Sequence, residues 1–124
     1  MNDPSKDATD PAADPKLPGT YREIASKFSE LTEAHAQMSR AAEHAGPLDA
    51  RSQALVKIGM CVGAGLESAL RSHVRRAMEQ GVTREQIEHA IMLGMTTCGF
   101  PATAAAYAWA NVQFHRDQPQ PPAE

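Results

Sequence analysis

Cysteine is scarce in this sequence. Cys61 and Cys98 are the only two in 124 residues. They are too few and too far apart for a disulfide framework or a zinc site, and they lack the CxxC spacing of a redox pair. Long apolar runs are also missing: none approaches the roughly 18 residues a membrane helix needs. The opening "MNDPSKDATD" has neither a positive n-region nor an apolar h-region, so no signal peptide is expected and the cytoplasm is the expected location. There is no basic tract. Twelve Lys and Arg against fifteen Asp and Glu give a net charge of −3 and a pI near 5.9, which argues against a nucleic-acid partner. Period-two alternation is absent, so no strand is expected. Aromatic residues number only six (three Phe, two Tyr, one Trp). The apolar content is Ala, Leu, Val, Ile and Met, which suits close-packed helices and leaves subunit assembly as a route to further burial.

What is present reads as helix throughout. Residues 1 to 18 contain Pro4, Pro11, Pro15 and Pro18 among scattered Asp and Lys and read as a disordered tail; residues 117 to 124 read as a second. Residues 19 to 116 read as a single all-α domain of five or six helices.

Thr20 and Glu23 form a T-x-x-E capping box. Tyr21, Ile24, Phe28, Leu31, His35, Met38 and Ala42 then recur at alternating three- and four-residue spacings, a coiled-coil-like seam. The pattern predicts one helix of about 25 residues, ended by Gly46-Pro47, whose narrow apolar face packs on a partner within the chain or from another subunit. Asp49 or Ser52 opens the second helix, with Leu55, Ile58, Val62 and Leu66 as its buried stripe. Gly63-Ala64-Gly65 predicts a bend there, since each helical glycine costs about 1 kcal/mol. The helix resumes with Leu66, Leu70, His73, Val74 and Ala77 inward, and Gly81 ends it. Thr83 and Gln86 repeat the capping box for a helix that turns Ile87, Ala90, Ile91, Gly94 and Cys98 to one face. Pro101 suits the first turn of a last helix, "ATAAAYAWANVQFH", apolar nearly all round and so expected to be buried on several sides.

The stretch "SHVRRAMEQGVTREQIEHAI", residues 72 to 91, followed by "GFP" and an Ala-rich helix, resembles the carboxymuconolactone decarboxylase family, whose superfamily also contains the alkylhydroperoxidase D proteins. The likeness extends over residues 48 to 114. It implies an all-helical, alkylhydroperoxidase D-like domain with a helical hairpin core, assembled as a trimer or hexamer. It brings two chemistries: decarboxylation of a lactone, a lyase reaction, and thiol-based peroxide or disulfide reduction, a peroxiredoxin-type activity. The redox branch carries a CxxC pair just before its histidine and a glutamate upstream. The matching positions here are Leu66, Ala69 and Ala54, and His73 alone agrees. Two sulfurs on one helical turn pair and lower a thiol pKa; Leu and Ala do neither. The decarboxylase branch lacks the CxxC and has sequence like "LRSHVRRA" around the histidine. The resemblance thus implies a decarboxylase-like enzyme for a small acidic lactone or keto acid, with His73 as proton shuttle and no metal or organic cofactor.

Each candidate side chain also has a plain packing explanation. His73 is either a buried histidine held by a hydrogen bond or a proton carrier with a pKa near neutrality. Arg71, Arg75 and Arg76 are either a solvated face paired with Glu67 and Glu79 or a clamp for a carboxylate; Arg51 is a further candidate for substrate binding. Cys61 and Cys98 are either two small buried hydrophobes or a redox pair brought together by the fold, as in a thiol-dependent antioxidant. Glu85 and His89 lie at i, i+4, but no third metal ligand is in view. Met60, Met92 and Met95 either line the core or soften an apolar pocket. A third functional reading is a non-catalytic helical assembly protein of the same fold.

Overall fold

A computed structural model describes residues 11–15 and 17–117, so the two tails expected at the termini lie largely outside the described residues. The described residues contain six α-helices and no strand, which agrees with the all-α expectation. The chain divides into two compact units, Met1–Pro47 and Leu48–Glu124. The boundary falls inside the span 19–116 that the sequence suggested as one domain.

The first unit is an α-helical pair, α1 (Gly19–Lys27) and α2 (Ser29–Glu43). The single long helix predicted from the seam is broken at Phe28, whose φ of −124° and ψ of 51° leave the helical region. The Phe28 carbonyl accepts both the backbone N–H of Thr32 at 3.0 Å and its hydroxyl at 3.1 Å. Such back-bonding by threonine bends helices. The Thr20 capping box does not form either: α1 begins at Gly19, after Pro18, with no side-chain cap. Only Ala25 is buried in α1 and no residue of α2 is, so the seam residues Phe28, Leu31 and Met38 stay exposed.

The second unit holds α3 (Ala50–Ala64), α4 (Glu67–Glu79), α5 (Arg84–Met92), a 3-10 turn (Leu93–Thr96) and α6 (Phe100–Asp117). Asp49 opens α3 by accepting the Ser52 N–H at 2.7 Å, and this bond holds the Asp49 carboxyl below the usual carboxylate range. The predicted bend is a full stop: Gly65 adopts a φ of 69°, and the Leu66 N–H reaches back to the Cys61 carbonyl at 3.0 Å. A left-handed glycine with that return bond is how helices end with their last carbonyls satisfied. The second capping box forms as read, with Thr83 and Gln86 bonded reciprocally at 3.0 and 3.1 Å.

The core is one cluster in which Ile58, Leu70, Val74, Ala77, Ile87, Ile91, Ala106 and Ala110 are all fully buried. α4 packs against both α3 and α6. Arg84 pins α5 to α6: it bonds Glu88 at 2.7 Å and Asn111 at 3.2 Å, and its guanidinium lies 4.7 Å from the Phe114 ring centre. Three sequence expectations fail here. Leu66 is exposed at the N-cap of α4. Met60, Met92 and Met95 are exposed rather than in the core. α6 buries one side only, through Thr103, Ala106, Ala110, Gln113 and Phe114, while Tyr107 and Val112 face outward.

Gly94 marks a close approach between elements. A Cβ there would meet Thr103 Oγ1 and Val62 Cγ1, each at 3.0 Å, whereas at Gly59 it would meet nothing within 4 Å. Gly94→Ala is expected to destabilise by about 1–3 kcal/mol through overpacking. Gly59→Ala is expected to stabilise by about 0.5–1 kcal/mol through helix propensity. Urea unfolding of the two variants checks the pair, and the reverse order would contradict this packing.

Candidate functional site

His73 lies in the middle of α4, half-buried. Its stretch is helical because the apolar residues Leu70, Val74 and Ala77 recur at three and four and all fall on the buried stripe. His73 sits beside that stripe. Removal from water pushes its pKa below the ordinary 6.5, and the positive charges of Arg76 and Lys57 push it further the same way. The imidazole is therefore neutral at pH 7. Below 6.5 the unfolded chain binds this proton before the folded one does, so the site subtracts stability as pH falls through that region.

The neighbours of His73 are not the ones the sequence suggested. At 100° per residue, Arg71 and Arg75 leave α4 about 200° from His73, on its other side. Arg71 donates to Gln113 Oε1 on α6 at 3.3 Å, and Gln113, buried, donates in turn to Asp117 at 3.0 Å. The expected Arg71–Glu67 pair is replaced by this link. Arg75 does pair with Glu79, at 3.5 Å. Arg51 is engaged elsewhere too: it donates to the Gln80 carbonyl at 3.3 Å, capping the C-terminal end of α4 about 10 Å along the axis from His73. The cations that reach His73 are Arg76, one turn on, and Lys57 on α3. Helical spacing alone would have selected Arg76, at i+3, over arginines at i±2. Lys57 has no such local signal, since it comes from another helix.

The two cysteines are both free, and helical phase directs Cys61 away from the side of α3 that Cys98 lies against. Cys61 is buried, and burial pushes its thiol above the usual range. Cys98, expected on a buried face, is exposed. The 3-10 turn is the reason: it changes the helical phase after Met92, so the register of α5 does not carry on to Cys98. The Cys98 sulfur lies 3.5 Å from where a Cβ on Gly63 would be. Cys61 precedes Gly63 by two residues, so its side chain leaves α3 about 200° away. Among the described residues, no group of three or more His, Cys, Asp or Glu is placed to hold a metal ion, so the Glu85–His89 pair gains no third ligand. Nor, among these residues, is any helix long and apolar enough to cross a membrane.

A cavity of about 630 Å³ opens between α3, α5 and the 3-10 turn. Its lining includes Cys98 and His89 but not His73. Lys57 and the cavity-lining Gly59 are again two residues apart on α3, so the cavity and the His73 cluster occupy opposite sides of that helix.

An all-helical unit built on the α3–α4 hairpin, with a half-buried histidine in the second helix, defines the class of fold. The model of the carboxymuconolactone decarboxylase family matches residues 28–112, and the protein belongs to that family. The match begins at the break between α1 and α2. Comparison with curated proteins and with solved structures finds no match.

The thiols give a direct check on this geometry. Under native conditions iodoacetamide is expected to alkylate Cys98 readily and Cys61 only after unfolding, because reactivity follows exposure and thiolate fraction. Mild peroxide is expected to leave the intact mass free of the two-hydrogen loss of an intrachain disulfide. Rapid loss of both thiols with that mass change would show that the two sulfurs meet.

Proposed function

We propose that the protein is a carboxymuconolactone decarboxylase-like lyase acting on a small acidic lactone or keto acid. His73 is its proton carrier, and Lys57 and Arg76 hold the substrate carboxylate. The observation that carries this reading is a half-buried imidazole whose proton affinity is lowered by burial and by the charges of Arg76 and Lys57, cations on two different helices. Membership of the family supports a small-molecule substrate. The absence of sulfur at Leu66 and Ala69, and the separation of Cys61 from Cys98, weigh against the thiol-peroxidase alternative.

The proposed chemistry follows from those groups. Cleavage of the C–C bond to the carboxylate releases carbon dioxide and leaves the electron pair conjugated into the lactone or keto carbonyl. That carbanion equivalent takes a proton at carbon from the imidazolium form of His73. In the free protein partial burial, and then the two cations, hold the imidazole pKa below its ordinary value. A bound carboxylate offsets their charge, raises the imidazole pKa and lets it gain the proton it delivers. Arg71 and Arg75 then have a structural task, tying α4 to α6 and to its own last turn. The expected trimer or hexamer remains part of the proposal, supported by the outward apolar residues Tyr107 and Val112 on α6.

Decarboxylation of carboxymuconolactone and related keto acids, followed by carbon dioxide release, tests this reading. His73→Ala is expected to lower kcat by about 10²- to 10⁴-fold, the usual contribution of a positioned acid–base group. Lys57→Met is expected to raise KM tenfold or more, since a charge-assisted hydrogen bond is worth about 1.5–3 kcal/mol. Arg71→Met is expected to change stability rather than KM. Turnover that survives His73→Ala would remove the proposal.

A further inference from the structure

The cavity between α3, α5 and the 3-10 turn is separate from the His73 cluster and takes no part in the chemistry proposed for it. Small residues line it: Gly59 on α3, where a Cβ would meet nothing within 4 Å, with Ala90 on α5 and Gly94 in the turn. Its volume of about 630 Å³ falls in the range of roughly 300–1,000 Å³ typical of small-molecule sites. Leu55, Val62 and Leu93 make its walls aliphatic.

No Lys, Arg, Asp or Glu lines the cavity. An ion placed there would lose hydration without gaining a counter-charge, which excludes charged ligands. Polar groups enter from two directions only. From α5 come Gln86 and His89; from the two residues after the 3-10 turn come Thr97 and Cys98. The Gln86 side chain is already committed to the capping box with Thr83, which leaves His89, Thr97 and Cys98 to meet a ligand.

From this lining we infer that the protein has a second small-molecule site, for an uncharged and largely apolar ligand carrying a hydrogen-bonding group at one end. The ligand lies along Gly59 between the aliphatic walls and places its polar end by His89 and Thr97. Cys98 lines the same cavity, so an occupied site covers its sulfur. The inference does not depend on His73 or on the decarboxylase reading.

The test uses the full chain and the neutral fluorescent probe N-phenyl-1-naphthylamine. Saturable binding at one probe per chain is expected, with a fivefold or greater slowing of Cys98 alkylation by iodoacetamide. Gly59→Leu projects a side chain into open space, since a Cβ there meets nothing within 4 Å. It is expected to abolish both effects while the far-ultraviolet circular dichroism stays unchanged. Lys57→Met, on the opposite side of α3, is expected to leave both intact. Probe binding that does not protect Cys98 in the unmodified protein would overturn the inference without reference to any variant. So would undiminished binding to Gly59→Leu. Absence of probe binding, with Gly59→Leu lowering the subunit number in light scattering, would identify the groove as a contact between copies of the chain and overturn it as well.

Discussion

The burial of α4 along one stripe governs the arrangement of the second unit. Leu70, Val74 and Ala77 are completely removed from water, and α4 is held between α3 and α6. Burying three side chains at these spacings fixes the rotation of the helix about its axis. Once that rotation is set, the destination of every other side chain on α4 follows. His73 falls on the border between core and surface, where the charge of Lys57 on α3 acts on it. Arg71 falls on the other border and reaches Gln113 on α6. One packing constraint thus separates a titrating group from two of the three arginines that crowd it in sequence.

That separation decides the electrostatics. A partly buried histidine loses affinity for its proton, and nearby cations increase the loss. With Lys57 and Arg76 both acting on it, His73 is neutral where an unperturbed imidazole would be partly charged. Such a group answers to the charge of whatever enters its surroundings. An entering carboxylate reverses the balance. Arg71 and Arg51, by contrast, have their guanidinium Nε atoms committed to Gln113 and to the Gln80 carbonyl, so they fix geometry rather than answer to a ligand.

Local chemistry in the sequence was a good guide, and tertiary chemistry was not. The Asp49 and Thr83 caps, the stop at Gly81 and the buried Leu70, Val74 and Ala77 of α4 each depend on residues within one or two turns, and each was legible, whereas Gly63 and Gly65 were legible only as a bend and not as the stop that the left-handed Gly65 makes. The seam over 21–42 was legible as a periodicity, but the break at Phe28 was not, because a single carbonyl taking two bonds from Thr32 leaves no periodic trace. Cys98 was misplaced for a related reason: the 3-10 turn alters the angle per residue, so the register of α5 stops at Met92. Leu66 continues the spacing of the α3 stripe, but α3 ends at Ala64 and leaves it exposed, and the three methionines are exposed where apolar character alone suggested a core or pocket lining. At the site, His73 came from the family resemblance. Arg76 is legible among the three arginines around the histidine, and its i+3 spacing sets it apart from Arg71 and Arg75. Lys57 required the fold.

The most direct test of the account is the titration of the His73 imidazole, followed by NMR over about pH 5 to 8, where histidine changes charge. The account predicts a midpoint below 6.5 in the free protein. It further predicts that the midpoint rises when Lys57 and Arg76 are both replaced by Met, and rises in the unmodified protein when a saturating dicarboxylate is added. A midpoint at or above 6.5, unmoved by the loss of both cations, would show that His73 does not sit in a cationic site and would contradict the central claim.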